Sequence, residues 1–263
     1  MSFLRVKPKP DPEPAFISPP ENPQPGFFQA AFPKLPFNPQ TLSQARTAEF
    51  VDCLKSIQET DPVPPGKLKR PLYRKRFKTT LPLGVPGVIG VTGKPRSGKD
   101  VVADYLEAHF VDVARVNFSD PIIEEVNSWL SNSGHQITQG NKSHMTYRKL
   151  LQAWGMARRE AEPDYWTRQL SLQIKALQDG GIKLVLVCGV RTPSDLELVE
   201  NLGGSCWYIL RPGNDYQAKH DIETALDGID PSRFTYIENP SEGNLAPYED
   251  NIREALLYYE HGR

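Results

Sequence analysis

The stretch that most restricts this chain is Val88-Ile-Gly-Val-Thr-Gly-Lys-Pro-Arg-Ser-Gly-Lys-Asp100, an apolar run that breaks into a glycine-bounded loop and then opens a helix. Gly93, Gly98 and Lys99 satisfy the spacing G-x-x-x-x-G-K, in which backbone N–H groups cradle phosphates and the lysine reaches the outer ones. Such a match means little without its flanks. Here Val88 to Thr92 reads as a buried strand, and Asp100 to Phe110 as an amphipathic helix with Val101, Val102, Tyr105 and Leu106 on one face. The bland alternative is a glycine-rich turn between a strand and a helix. The candidate phosphate contacts are Gly93, Lys94, Arg96, Ser97, Gly98, Lys99 and Asp100.

Proline divides the chain. Seventeen of the 25 prolines precede residue 88, and at that density residues 1 to 40 sustain neither a helix nor a sheet interior. Residues 1–86 therefore read as an extended arm carrying one short helix and a basic linker, and residues 87–263 as one α/β domain. Phe27, Phe28, Phe32 and Phe37 make the arm either a tether or a strap for a protein partner. Thr41-Leu-Ser-Gln44 offers a capping box for a helix running to about residue 59. Seven cations between Lys67 and Lys78 read as a solvated basic linker in preference to a nucleic-acid contact.

The formal net charge of −1 gives no global field toward nucleic acid or membrane. No long apolar run predicts a membrane span, and no leader is evident at Met1. Cys53, Cys188 and Cys206 are odd in number and lack metal spacing, so free thiols in a reducing, cytoplasmic compartment are expected.

Beyond Gly87, strand and helix alternate, which predicts a parallel sheet covered on both faces. Strands are expected at Val113 to Phe118, Ile182 to Cys188, Ser205 to Leu210 and Phe234 to Ile237. Helices are expected at Pro121 to Leu130 with Ser119 or Asp120 as cap, Thr146 to Arg159, Asp164 to Gln178, Pro193 to Leu202 and Tyr248 to Tyr259. Ser131 to Ser143 reads as a polar loop.

Phosphoryl transfer needs positioned cations more than covalent chemistry. Arg191 and Arg211 directly follow predicted strands, and the carboxyl ends of parallel strands form the ligand crevice. Both should therefore share a mouth with Lys99. Arg148, Arg158, Arg159 and Arg168 lie on the two middle helices, where about half are expected to be plain surface charges. Asp100 occupies the position where a serine or threonine would normally meet magnesium. Its carboxylate suits the helix dipole and could equally hold the metal. Asp120 is either an N-cap or an acceptor contact. Trp154 and Tyr147 are core residues or base-stacking surfaces.

Gly93 to Asp100, Phe118-Ser-Asp-Pro121, Tyr147 to Gly155, Pro163-Asp-Tyr-Trp166, Gly189-Val-Arg191, Leu202-Gly-Gly204, Arg211-Pro-Gly213 and His220-Asp-Ile-Glu223 occur in the order found in bacteriophage-type deoxynucleoside monophosphate kinases. The resemblance covers about residues 87 to 260. It implies a P-loop kinase three-layer fold with a parallel five-stranded sheet, ATP and Mg2+ as cofactors, and a nucleoside monophosphate as acceptor. It also implies that Asp is normal after the loop lysine. Lys99, Arg191 and Arg211 would serve the transferring phosphoryl, while Asp120, Arg148, Trp154 and Arg158 would border the acceptor. The segment of His220 and Glu223 would close over it. A phage origin would place the protein in the host cytoplasm, and a homodimer is left open.

The chain departs from that family at Gly189, where the family usually has an Asp that can help hold magnesium. Animal phosphomevalonate kinases are similar too, through the same Gly-Lys-Asp loop and a Trp-Gly helix followed by an acidic-Pro segment. They carry two adjacent arginines where this chain has Arg191-Thr192. Two functions follow as expectations: transfer of the ATP terminal phosphoryl to a (deoxy)nucleoside monophosphate, or a weakened kinase fold that serves as a nucleotide-binding or structural module in an assembly.

Overall fold

The computed structural model describes residues 43–64, 78–131, 133–214, 224–240 and 244–260. The arm before residue 43, the Thr41 cap, the basic run up to residue 77, His220 and Glu223 lie outside them. Five strands alternate with helices: α1 (Gln44–Gln58), β1 (Val88–Thr92), α2 (Lys99–His109), β2 (Val113–Asn117), α3 (Ser119–Trp129), α4 (Met145–Ala161), α5 (Tyr165–Asp179), β3 (Leu184–Cys188), α6 (Pro193–Asn201), β4 (Ser205–Leu210), β5 (Phe234–Glu238) and α7 (Ala246–Glu260).

All strand pairs are parallel, in the order β2-β3-β1-β4-β5. The expected α/β architecture with a five-stranded parallel sheet is therefore what forms. β1 and β3 are buried at all five positions each, because helices cover both faces and water reaches neither. One face packs Ile89, Val91, Leu186 and Trp207 against Val102, Tyr105 and Leu106 of α2 and Ile252 and Leu256 of α7. The other packs Val88, Val185 and Val187 against Leu170 and Ile174 of α5 and Leu196 and Val199 of α6. Burying each such side chain is worth about 1.5–3 kcal/mol relative to exposure.

Two local expectations change. The N-cap of α3 is Phe118, with no side-chain cap. The Asp120 carboxylate instead accepts the Asn117 N–H at 2.8 Å and its Nδ2 at 2.9 Å, which fastens the end of β2 to the helix. Conversely, α6 carries a capping box that sequence reading missed: Thr192 accepts from the Asp195 N–H, and Asp195 accepts in return from the Thr192 N–H.

The larger change concerns α1. Phe50, Val51, Leu54 and Ile57 are buried in a third cluster with Ile123, Val126, Leu150, Ala153 and Trp154, and the Phe50 and Trp154 rings lie 5.5 Å apart. Over these residues the segment before residue 64 shares a core with α3 and α4. Proline density marks where helices cannot run; it carries no information about what a neighbouring amphipathic helix packs on.

Candidate functional site

β1 lies between β3 and β4; its own connection leads past β3 to β2, while the connection from β3 crosses to β4 on the other side. The order of strands therefore reverses at β1, and a crevice opens at its carboxyl end. Thr92, Gly93, Lys99, Val190, Arg191 and Tyr208 line that crevice. The Thr92 hydroxyl donates to the Val190 carbonyl at 2.7 Å and holds the β1 and β3 ends together.

Every carbonyl of the loop from Gly93 to Gly98 accepts a hydrogen bond. The Lys99 ammonium donates to the Gly93 and Lys94 carbonyls at 2.8 and 2.7 Å. Asn214 Nδ2 donates to the Pro95 carbonyl at 3.0 Å and Arg211 Nη1 to that of Arg96 at 3.2 Å. Asn239 Nδ2 donates to the Ser97 carbonyl at 2.8 Å and the Tyr248 hydroxyl to that of Gly98 at 3.1 Å. The Ser97 N–H closes a turn on the Lys94 carbonyl at 3.1 Å; with the carbonyls engaged, the N–H groups at the Gly98 end of the loop, where α2 begins, are the ones placed for an anion. Gly93 is required here: it sits at φ +133, and a Cβ would meet the Ile209 carbonyl oxygen at 2.5 Å.

The cradle fits a phosphate on two further counts. Helix α2 begins at Gly98 with no side-chain cap, so its first N–H groups and its positive dipole end face the loop. The Ser97 hydroxyl oxygen is buried without a hydrogen-bond partner, a costly arrangement that a phosphate oxygen would relieve. Magnesium fits more loosely. Among the described residues no group of three metal-ligating side chains occurs, but Mg2+ usually keeps several waters and takes one or two carboxylates plus phosphate oxygens. Asp100 is exposed on the first turn of α2 and can be that carboxylate. Asp104, one turn on, is taken by Arg115.

Residues 91–204 match the family model described as phosphomevalonate kinase. No curated protein matches the sequence. Among solved structures, a sugar kinase from Janibacter sp. HTCC2649 aligns at 15% identity over 67% of this chain and 96% of that one, with a TM-score of 0.39. A dephospho-CoA kinase from Campylobacter jejuni aligns at 13% identity over 67% and 99%, also at 0.39. This is a P-loop kinase-like fold. The sheet order and the loop geometry carry that statement on their own.

The remaining candidates separate into two groups. Arg191 borders the crevice, and Arg96, Lys94 and Arg211 are exposed around it. The turn carrying Arg191 is fixed by the buried Asp195 carboxylate, which accepts the Arg191 N–H at 3.0 Å and faces Arg159 Nη2 at 3.5 Å. Burial raises the Asp195 pKa, against the opposing pull of Arg159 and those N–H donors. The Cys188 thiol at the end of β3 is pushed up to about 12 by burial, so it is no nucleophile.

The acceptor-side residues are placed differently from expectation. Trp154 and Tyr147 are wholly buried and, as placed, present no ring to a base. Trp154 Nε1 donates to Glu125 at 2.7 Å, Arg158 donates to both oxygens of the same carboxylate at 3.1 and 3.3 Å, and the Tyr165 hydroxyl donates to it at 2.7 Å. Arg158 also lies 4.0 Å over the Tyr165 ring. That guanidinium is thus committed to its own fold. Arg148 is exposed on α4. Asp120, besides Asn117, accepts from Gln139 Nε2. Sequence reading missed Asn214, Asn239 and Tyr248; only Asn239, the polar residue directly after β5, carried a positional signal, whereas Asn214 lies in the turn past β4 and Tyr248 within α7.

Proposed function

We propose that this protein transfers the terminal phosphoryl group of ATP, as its magnesium complex, to an acceptor that is itself a phosphate monoester. The observation that carries this reading is the loop from Gly93 to Gly98, whose carbonyls are all engaged and whose buried Ser97 hydroxyl has no partner. Lys99 would exchange the Gly93 and Lys94 carbonyls for phosphate oxygens, a short movement of a flexible chain. Arg191 and Arg211 would stand over the spreading charge, and Asp100 with water would hold the metal. Such pre-set donors are worth about 3–4 kcal/mol each in comparable acyl-transfer sites.

The acceptor reading has two forms. Eight motifs in register support a (deoxy)nucleoside monophosphate, and the match over residues 91–204 supports phosphomevalonate. Burial of Trp154 and Tyr147 removes the stacking surfaces expected for a base and favours the second. Both acceptors present a phosphate, which is the chemistry the cations can read.

A coupled assay of ADP release, run with deoxynucleoside monophosphates and phosphomevalonate in parallel, decides between the forms. Turnover with one class and its loss in Lys99→Ala is the expected outcome. Turnover that survives Lys99→Ala, or none with any acceptor, rejects the proposal.

A further inference from the structure

One cation at the mouth was not singled out by any motif. Lys142 belongs to the loop between α3 and α4, and that loop is held rigidly. The Lys142 N–H donates to the Thr138 carbonyl at 2.9 Å. The neighbouring Asn141 side chain accepts from the Thr138 N–H at 2.7 Å and donates to the carbonyls of Gln136 at 3.0 Å and Val63 at 3.1 Å. The lysine's backbone is therefore fixed at this edge, and its side chain reaches the Ser119 hydroxyl from there.

Its ammonium is half-buried and donates to a neutral oxygen, the Ser119 hydroxyl, at 3.1 Å. An ammonium has three donors and no acceptor. Among the described residues it makes no ion pair. Burial dominates its surroundings and lowers its pKa; Asp120 and Asp100 oppose that shift and Arg191 adds to it. Asp120 is already engaged by Asn117 and Gln139. The Lys142 partner Ser119 follows the end of β2, where Asn117 pairs with Cys188 and the Phe118 N–H donates to the Cys188 carbonyl at 3.3 Å, so Lys142 shares the carboxyl edge of the sheet with Arg191, three residues past Cys188. Arg191 also lines the phosphate crevice. A half-buried lysine with no carboxylate paired to it, beside an exposed arginine at the same mouth, forms an arrangement that an incoming anion stabilises.

Resting on the kinase reading above, we propose that Lys142 is a catalytic residue that, together with Arg191, holds the phosphate of the acceptor. One oxygen of that phosphate forms the new bond to the terminal phosphorus of ATP as the bond from that phosphorus to the bridging oxygen breaks. ADP leaves with the electron pair. Lys142 keeps its proton throughout and serves to hold the attacking phosphate in line, offsetting its repulsion from the ATP phosphates.

The test uses the full chain with Lys142→Met and Lys142→Arg. For whichever acceptor turns over, kcat/KM for the acceptor is expected to fall about 100-fold in the Met variant and to recover in part in the Arg variant, with KM for ATP changed less than about twofold. An unchanged acceptor kcat/KM overturns the proposal. Should Lys142→Met fold poorly by circular dichroism, Lys142→Gln, which can keep the Ser119 hydrogen bond, takes its place.

A second measurement is independent of turnover: calorimetric titration of inorganic phosphate into the ADP-loaded protein. Binding by the unsubstituted chain that weakens about tenfold in Lys142→Met supports an acceptor-phosphate site. Equal binding by both, or none by the unsubstituted chain, overturns it. Phosphate binding lost in the variant, combined with no turnover on any acceptor, would reject the kinase reading while leaving Lys142 as an anion contact.

Discussion

The two sides of the mouth are built by different means. On the proposed nucleotide side, six successive backbone carbonyls are all engaged by donors, those of Lys94 and Gly98 by two each, and the working surface is main chain. On the proposed acceptor side the surface is side chain, placed by an aromatic cluster and by a single carboxylate, Glu125, shared among Trp154, Arg158 and Tyr165. A backbone cradle needs glycine at fixed spacing and so leaves a motif in the sequence. A side-chain site needs only that distant residues pack, and leaves none. Hence the phosphate donor is easier to read than the acceptor.

The largest effect that tests this division is expected from α1. Phe50 packs on Trp154, so Phe50→Ala should destabilise the protein by about 3–5 kcal/mol, read as a lowered urea midpoint. At temperatures where the variant stays folded, KM for the acceptor should rise while ADP affinity holds. A parallel loss of ADP affinity would show that the two sides form one cooperative unit. The prediction also bears on the extension: Val63 accepts from Asn141 and donates its N–H to the Tyr147 hydroxyl at 3.1 Å, so residues 43–64 brace the loop that carries Lys142.

The reverse test belongs to the cradle. Asn239→Ala leaves the buried Ser97 carbonyl without its donor, which should cost about 1–3 kcal/mol. ADP affinity should fall, and KM for the acceptor should stay within about twofold if the sides are separate. Calorimetry of ADP binding measures the first, and the coupled assay the second.

Legibility followed the same line. Continuous apolar runs such as Leu184 to Cys188 gave strands whose ends lie within two residues of those observed, because burial on both faces leaves one reading. Lys99 was found because its carrier loop repeats a spacing. Lys142 was missed because Ser131 to Ser143 has no periodicity, and the contacts that hold it run to Val63, 78 residues away from Asn141. Trp154 could not be assigned either: its fate depended on whether something covered α4, and the cover is α1, on the far side of the basic run. Asp120 read as a cap or a ligand for the same reason, since the Asn117 and Gln139 donors that claim it are set by the loop.

The smallest expected effect concerns Gly189, the position where the resembling kinases usually carry Asp. A Cβ there meets nothing within 4 Å, so space is not what selects glycine. The backbone is: Gly189 sits at φ +87, and its N–H donates to the Val91 carbonyl at 3.2 Å. Any L-residue held there costs about 1–2 kcal/mol. Gly189→Asp alone therefore mixes a strain with a new carboxylate, and a fall in rate would say nothing about magnesium. Gly189→Ala carries the strain alone. If a carboxylate after β3 assists the metal, the Asp variant should exceed the Ala variant in kcat by about two- to tenfold at limiting Mg2+ and converge on it at saturating Mg2+, with both losing similar stability by thermal melting. Equal rates at every Mg2+ concentration would mean that Asp100 and water suffice, and that glycine was kept here for the turn that aims Arg191.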